Sequence, residues 1–225
     1  MAQIIPIPLG ITKAFLVKED GALLIDTGCP HDETRIVAAL QKENVDLREL
    51  KLILQTHGHY DHCGSTSKLK ELTPAPVAIH RLDVHLISKG MNDPLKPINL
   101  GGRFVKLISN RPFDPVVPDV VIDEEINLNA YGVRGRVLFT PGHTAGSISV
   151  LLEGGNAIVG DLMVGGYLGG YLFPHRPGYH YFADDIGALR SSIKKVMDAG
   201  VDTVFVAHGG PLKRQAILDR FKFAN

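Results

Sequence analysis

The sequence predicts an α/β fold made of two similar halves sandwiched together, with one insertion at about residues 163–182. Three observations carry this reading. Apolar hairpins span residues 14–26 and 147–161, an amphipathic helix and a buried strand follow each of them, and each half carries an aspartate where its hairpin ends and a histidine where its later strand ends. No low-complexity stretch or linker interrupts the chain, so residues 1–225 read as one domain.

The elements follow in order. "AFLV" and "ALLIDTG" flank "KEDG", whose Asp-Gly pair favours a tight hairpin turn, and the second strand ends at Asp26. In "HDETRIVAALQKEN", Asp32 is placed to cap a helix with Ile36, Val37 and Leu40 at helical spacing, and His31 stands at its start. "LKLILQTH" reads as a buried strand ending near His57, "GSTSKLKEL" as a short helix and "APVAIH" as another strand. In the second half, "SISVLLE", a Gly-Gly turn and "NAIVGD" form a hairpin ending at Asp161. "DDIGALRSSIKKVMDAG" is a helix with Ile186, Leu189, Ile193 and Val196 on one face and Gly200 past its end. "DTVFVAHGG" is a buried strand leading to His208. Asp26 and His57 lie 31 residues apart and Asp161 and His208 lie 47 apart; the excess falls largely in the insertion.

Composition narrows the function classes. Hydrophobic residues at 44% and charged residues at 21% are ordinary for a soluble globular chain. Lysine plus arginine and aspartate plus glutamate number 24 each, so no overall field draws the chain to nucleic acid or an anionic membrane. No apolar run reaches the roughly 18 residues of a spanning helix, and "MAQIIPIPLG" lacks the pattern of a secretory signal, so a cytoplasmic location is expected. Two cysteines, Cys29 and Cys63, are expected as reduced thiols, with Cys63 a small buried side chain under its loop.

The chemistry concentrates in "QTHGHYDHCG", where His57, His59, Asp61 and His62 fall within six residues. Imidazole and carboxylate donors suit a hydrolytic zinc, or non-haem iron or manganese. On one turn, His57 and His59 can face one point while Asp61 and His62 face a neighbouring one. Four donors do not surround two ions, so others must come from further strand ends. His143 in "TPGHTAGS", Asp161 in "IVGD" and His208 in "VAHGG" each stand between an apolar run and small residues that permit close backbone approach.

"THGHYDH", "PGHTAGS", "GD" and "AHGG" occur in the order found in the metallo-β-lactamase superfamily, and "AFLVKEDGALLIDTG" resembles its opening hairpin. The resemblance spans nearly the whole chain. It implies an αββα sandwich with two divalent metal ions, zinc with iron or manganese as alternatives, along one edge of the two sheets. It further implies that His57, His59 and His143 hold the first ion and that Asp61, His62 and His208 hold the second. Asp161 would bridge them, and Asp26 would orient a ligand instead of binding metal. Two departures bear on substrate. Asp161 stands where some lactamases have cysteine, and "CGS" follows the first motif where glyoxalase II has Gly-Gly.

The functional expectation is a hydrolase in which two ions, roughly 3.5–4 Å apart, share a water and lower its pKa toward about 7. The resulting hydroxide attacks a small ester, thioester or lactone, and Asp61 is the ligand placed to shuttle a proton. The rivals are a nuclease or phosphodiesterase, iron-dependent oxygen or sulfur chemistry, and a non-catalytic binding protein that uses the metals to hold an anion or partner. The insertion reads as a long loop rich in glycine and aromatic residues that serves as a lid or as a homodimer contact; Tyr171, His175 and Arg176 are its candidate substrate residues. Residues 89–104 are a second candidate pocket wall. His80, Asp83 and His85 are spaced too loosely for a site and read as surface or strand-end residues.

Overall fold

A computed structural model describes residues 1–107, 109–123 and 125–223. Its first sheet has six strands in the order β1 (Gln3–Pro8), β2 (Lys13–Lys18), β3 (Ala22–Ile25), β4 (Leu50–Leu54), β5 (Val77–His80) and β6 (Val120–Ile122). The first three are antiparallel; β3 through β6 run parallel. Helices α1 (Glu33–Lys42), α2 (Tyr60–Cys63), α3 (Thr66–Leu72), α4 (Val84–Lys89) and α5 (Leu100–Val105) lie in its connections.

The second sheet contains β7 (Gly135–Phe139), β8 (Ile148–Leu152) and β9 (Asn156–Ile158), then, beyond the ribbon β10 (Val164–Tyr167) and β11 (Leu172–Gly178) and helix α6 (Ile186–Asp198), β12 (Thr203–Phe205) and β13 (Leu212–Lys213); α7 (Arg214–Phe221) closes the chain. Its order is β13-β12-β9-β8-β7, with β12 parallel to β9. Both halves thus use the same unit: a hairpin, a helix, and a strand parallel to the hairpin's second strand.

Period-two alternation explains the layers. In β2 and β3, Phe15, Val17, Leu23 and Ile25 point one way and pack with Val137, Ile148, Val150 and Ile158 of the other sheet. The intervening Leu16 and Leu24 pack outward with Ile36 and Leu40 of α1 and Leu69 of α3. On the far side, Leu138, Leu151 and Ala157 meet Leu189, Ile193 and Val196 of α6 and Ile217 of α7. Strands β2, β3 and β8 are buried on both faces, which is why they read as continuous apolar runs. The architecture is the expected αββα sandwich.

Three local expectations are corrected. Asp32 stands at the start of α1 but makes no side-chain cap; its carboxylate accepts from the backbone N–H of Cys29 at 2.9 Å and ties down the preceding turn. Ile186 opens α6 but is exposed, because only from Leu189 onward does the helix face the sheet. The insertion is not an irregular loop: β10 and β11 pair antiparallel, with a register shift between Gly165 and Tyr167.

Candidate metal centre

The histidine-rich turn follows β4, and helix α2 starts immediately after His59. The loop after β7 supplies His143, the end of the β8–β9 hairpin supplies Asp161, and the segment after β12 supplies His208. Two glycines make this convergence possible. Gly142 (φ +137°) lies so close to α6 that a Cβ there would sit 2.3 Å from the Leu189 nitrogen. Gly160 (φ +52°) lies against Thr56, where a Cβ would meet the hydroxyl at 2.4 Å.

All seven residues singled out in the sequence come together. The donor atoms of His57, His59 and His143 lie within 4.8 Å of one another, as do those of Asp61, His62, Asp161 and His208. Nε2 of His143 is 3.0 Å from Nδ1 of His59, a separation that requires a proton or a cation between the two nitrogens. Asp161 is shared: its carboxylate lies 3.6 Å from His143, 3.4 Å from His62 and 3.3 Å from His208.

The outward faces of the rings are fixed. Nδ1 of His62 donates to Asp26 Oδ2 (2.8 Å), Nδ1 of His143 to the Phe182 carbonyl (3.0 Å) and Nδ1 of His208 to the Ile11 carbonyl (2.6 Å). Thr56 gives its hydroxyl proton to Asp26 Oδ2, so its oxygen accepts from Nδ1 of His57 at 3.2 Å. Each of these rings therefore turns an Nε2 lone pair inward. Asp26 adopts a left-handed backbone conformation (φ +60°) and also accepts from the Thr56 N–H at 2.7 Å.

The inward atoms supply the test of fit. Nε2 of His57, His62 and His208 and Oδ1 of Asp161 are buried and have no hydrogen-bond partner. Buried polar atoms left without partners are costly unless an ion satisfies them. Cys63 is outside the donor set, because its Sγ donates away from it, to the His57 carbonyl and Gln55 Oε1.

Electrostatics divide the ligands. Burial holds His57 and His59 well below the usual imidazole range, and neighbouring imidazoles add to this; burial lowers His143 too. Burial opposes charge on His62 and His208 as well, but carboxylates outweigh it: Asp161 and Asp26 raise His62, and Asp161 and Asp61 raise His208. Burial likewise opposes ionisation of Asp161, yet His180, His208 and His62 together hold it well below the carboxylate range.

The sequence reading is corrected at Asp83, expected as a surface or strand-end residue, and it gave His180 no role. Asp83 is buried; its carboxylate accepts from Gly58 N (2.9 Å), Gly146 N (2.7 Å) and the Thr144 hydroxyl (2.7 Å). It thereby links the loop of His57 to the loop of His143. No local signal marks it, since its partners are backbone groups distant in sequence. His180, from the segment after β11, brings Nε2 to 3.3 Å from Asp161 Oδ2, and burial pushes it down to about 3. The two histidines of the loose cluster lie outside the centre: His80 is buried, stacked on Phe139, and His85 is exposed beside Asp93.

The insertion's candidate substrate residues lie on the ribbon. Tyr171 is exposed, Nδ1 of His175 donates to the Pro211 carbonyl (2.9 Å), and the Arg176 guanidinium lies 5.8 Å from the Tyr167 ring centre. The 89–104 stretch does contribute a wall: Asp93, Leu95 and Lys96 line a cavity of about 40 Å³ together with His59, His143 and Phe182.

An αββα sandwich with a histidine–aspartate centre at the strand ends defines a metallo-hydrolase-like class. The chain belongs to the metallo-beta-lactamase superfamily, whose sequence profile matches residues 7–208. A probable metallo-hydrolase of Bacillus subtilis (strain 168), YflN, is 29% identical over 208 residues, covering 84% of this chain and 76% of the relative. One from Methanocaldococcus jannaschii is 27% identical over 202 residues, covering 88% and 87%. Among solved structures, the B3 metallo-beta-lactamase BLEG-1 superposes with a TM-score of 0.70 at 22% identity over 97% of each chain, and SMB-1 with 0.68 at 20% over 92% and 77%. Among the described residues, no helix is long and apolar enough to cross a membrane.

Proposed function

We propose that this protein is a metal-dependent hydrolase of a small ester, thioester or lactone, with two divalent ions held by His57, His59 and His143 and by Asp61, His62 and His208, and Asp161 between them. The observation that carries the reading is the set of buried, unpartnered inward atoms on His57, His62, His208 and Asp161. Bound ions would supply Lewis acidity, generating a nucleophile from water near neutral pH and polarising the electrophile's oxygen. The chain supplies the rest. Its outward Nδ1 hydrogen bonds keep the ring lone pairs directed inward, and His57, His59, His62, His143, Asp161 and His208 are buried. Asp61 is the more open of the two carboxylates, its side chain 16% accessible against 1% for Asp161. It is the group assigned to take up and release a proton at its Oδ2.

The nitrogen–oxygen donor set, with no thiolate, suits zinc and also accepts iron or manganese. Two free cysteines agree with a cytoplasmic location. The exposed apolar tip of the ribbon, with Tyr167, Leu168, Tyr171, Leu172 and Phe173, is assigned to walling the substrate or to joining two copies. Light scattering over a range of protein concentrations separates these roles.

The test is metal analysis followed by turnover of p-nitrophenyl acetate, an acyl thioester, a lactone, nitrocefin and bis-p-nitrophenyl phosphate. Hydrolysis of the first three that is lost in His59→Ala and Asp161→Ala supports the reading. Preference for the phosphodiester points to a nuclease or phosphodiesterase, and bound metal without turnover of any substrate points to a binding protein.

A further inference from the structure

Phe182 sets two histidine tautomers in opposite senses. Its carbonyl accepts from Nδ1 of His143, which leaves the His143 Nε2 lone pair free for the centre. Its backbone N–H donates to Nδ1 of His180 at 3.2 Å. A nitrogen that accepts carries no proton, so the neutral His180 ring bears its proton on Nε2. That Nε2 lies 3.3 Å from Asp161 Oδ2, and the His180 ring stands 4.6 Å from that of His143, edge to face. His180 thus faces the same space as the candidate ligands with the opposite end of the hydrogen-bonding pattern: it offers a proton where they offer lone pairs.

Its placement is rigid. The flanking residues are clamped to the 96–98 segment, with Ile98 N donating to the Tyr181 carbonyl (3.0 Å), Ala183 N donating to the Lys96 carbonyl (3.2 Å), and Pro97 bridging to Phe182. The side chain keeps 10% of its surface accessible.

We propose that His180 is a catalytic hydrogen-bond donor of this centre and not a metal ligand: its Nε2–H holds the substrate oxygen on which negative charge gathers during attack. The proposal rests on the hydrolase reading above. In the step it serves, the water oxygen joins the acyl carbon and the bond to the alcohol or thiol breaks. The proton lost by the water ends on that leaving group, and His180 keeps its own. Removing one such preorganised donor costs roughly 10²-fold or more in kcat.

The experiment has two arms, both on the metal-loaded full chain. In the first, ¹⁵N NMR of the histidine side chains is recorded during titration with acetate, a stand-in for a carboxylate product. A protonated, pyrrole-type Nε2 on His180 that shifts on acetate addition is expected, with weaker acetate binding in His180→Ala. In the second, His180→Ala retains the wild-type metal content and Co(II) absorption spectrum while kcat falls roughly 10²-fold. The wild-type to variant ratio stays constant across pH, and His180→Gln, which restores an N–H, recovers part of the rate. A pyridine-type Nε2, a lost ion, an altered Co(II) spectrum or an unchanged kcat each overturns the proposal. If the wild type hydrolyses none of the substrates, the hydrolase reading falls, and the NMR arm still decides whether His180 is a donor to a bound anion.

Discussion

Asp26 shows how much one side chain sets. Its two oxygens accept from the Thr56 N–H, the Thr56 hydroxyl and Nδ1 of His62, so it fixes one ring directly and another through Thr56. In Asp26→Ala, His62 loses the carboxylate that holds its Nδ1 at 2.8 Å and keeps only the longer contact to the Thr56 hydroxyl at 3.5 Å. Metal affinity is expected to fall about 10–100-fold, as measured by competition with a chromophoric chelator; unchanged affinity in a folded variant would contradict the assigned orientation. Asp83 works on backbone. Asp83→Ala leaves Gly58 N and Gly146 N unpaired in a buried site, while the Thr144 hydroxyl keeps Ser147 Oγ at 2.7 Å. A loss of about 3 kcal/mol is expected in urea unfolding. At this scale the sequence was informative wherever residue type announces chemistry, as in His57, His59 and His62. It misread Asp83 as a surface or strand-end residue and was silent on the role of His180, because what those residues do depends on which backbone groups fold onto them.

Among the elements, the strands and α6 follow from pattern, while their junctions follow from contact. Leu24 of β3 is fully buried against α1 and α3. Leu24→Ala is expected to cost about 2–5 kcal/mol, read as a shift of the denaturant midpoint at constant slope. Gly142 is the sharper case: it stands at φ +137° with the α6 backbone in the space a side chain would need. Gly142→Ala should displace the loop of His143 from α6, lowering both melting temperature and metal content. A variant with wild-type metal content would show that the loop tolerates the shift. The helix at 186–198 was legible from its apolar spacing, but the exposure of Ile186 was not, because the helix approaches the sheet only from its second turn. Similarly, the glycines of the insertion suggested an irregular lid, and only cross-strand pairing makes it a ribbon.

Over the whole molecule, the two halves are joined by the interior between the sheets and by polar clasps at their rims. Glu19, in the turn of the first hairpin, accepts from the backbone N–H of Arg134 (2.8 Å) and pairs with its guanidinium. These interactions hold the Glu19 carboxyl down at about 2. A carboxyl lowered in the folded state adds stability that is complete above its ordinary value near 4.5 and disappears as pH falls toward 2. The gap in melting temperature between wild type and Glu19→Gln should therefore be widest above pH 5 and close on acidification; a gap independent of pH would argue against the pair. At the opposite rim, the Ile11 carbonyl accepts from His208, and Lys13 Nζ donates to the Gly209 carbonyl. The centre is assembled from both halves, so ions bound there stabilise the folded state. Saturation at about 100 times Kd should add about 2.7 kcal/mol, which a chelator removes and a thermal scan detects.

By itself the sequence determined the alternation of elements, the repeated hairpin–helix–strand unit and the identities of the seven candidate ligands. These depend on local periodicity and on side-chain chemistry, both of which are written residue by residue. Only the tertiary structure decided that the seven donors come together in two neighbouring sets, that Asp83 ties two of their loops together and that the N–H and the C=O of one residue, Phe182, hold His180 and His143 in opposite senses. Convergence and tautomer depend on distances between residues far apart in the chain, and a linear pattern carries no such distances.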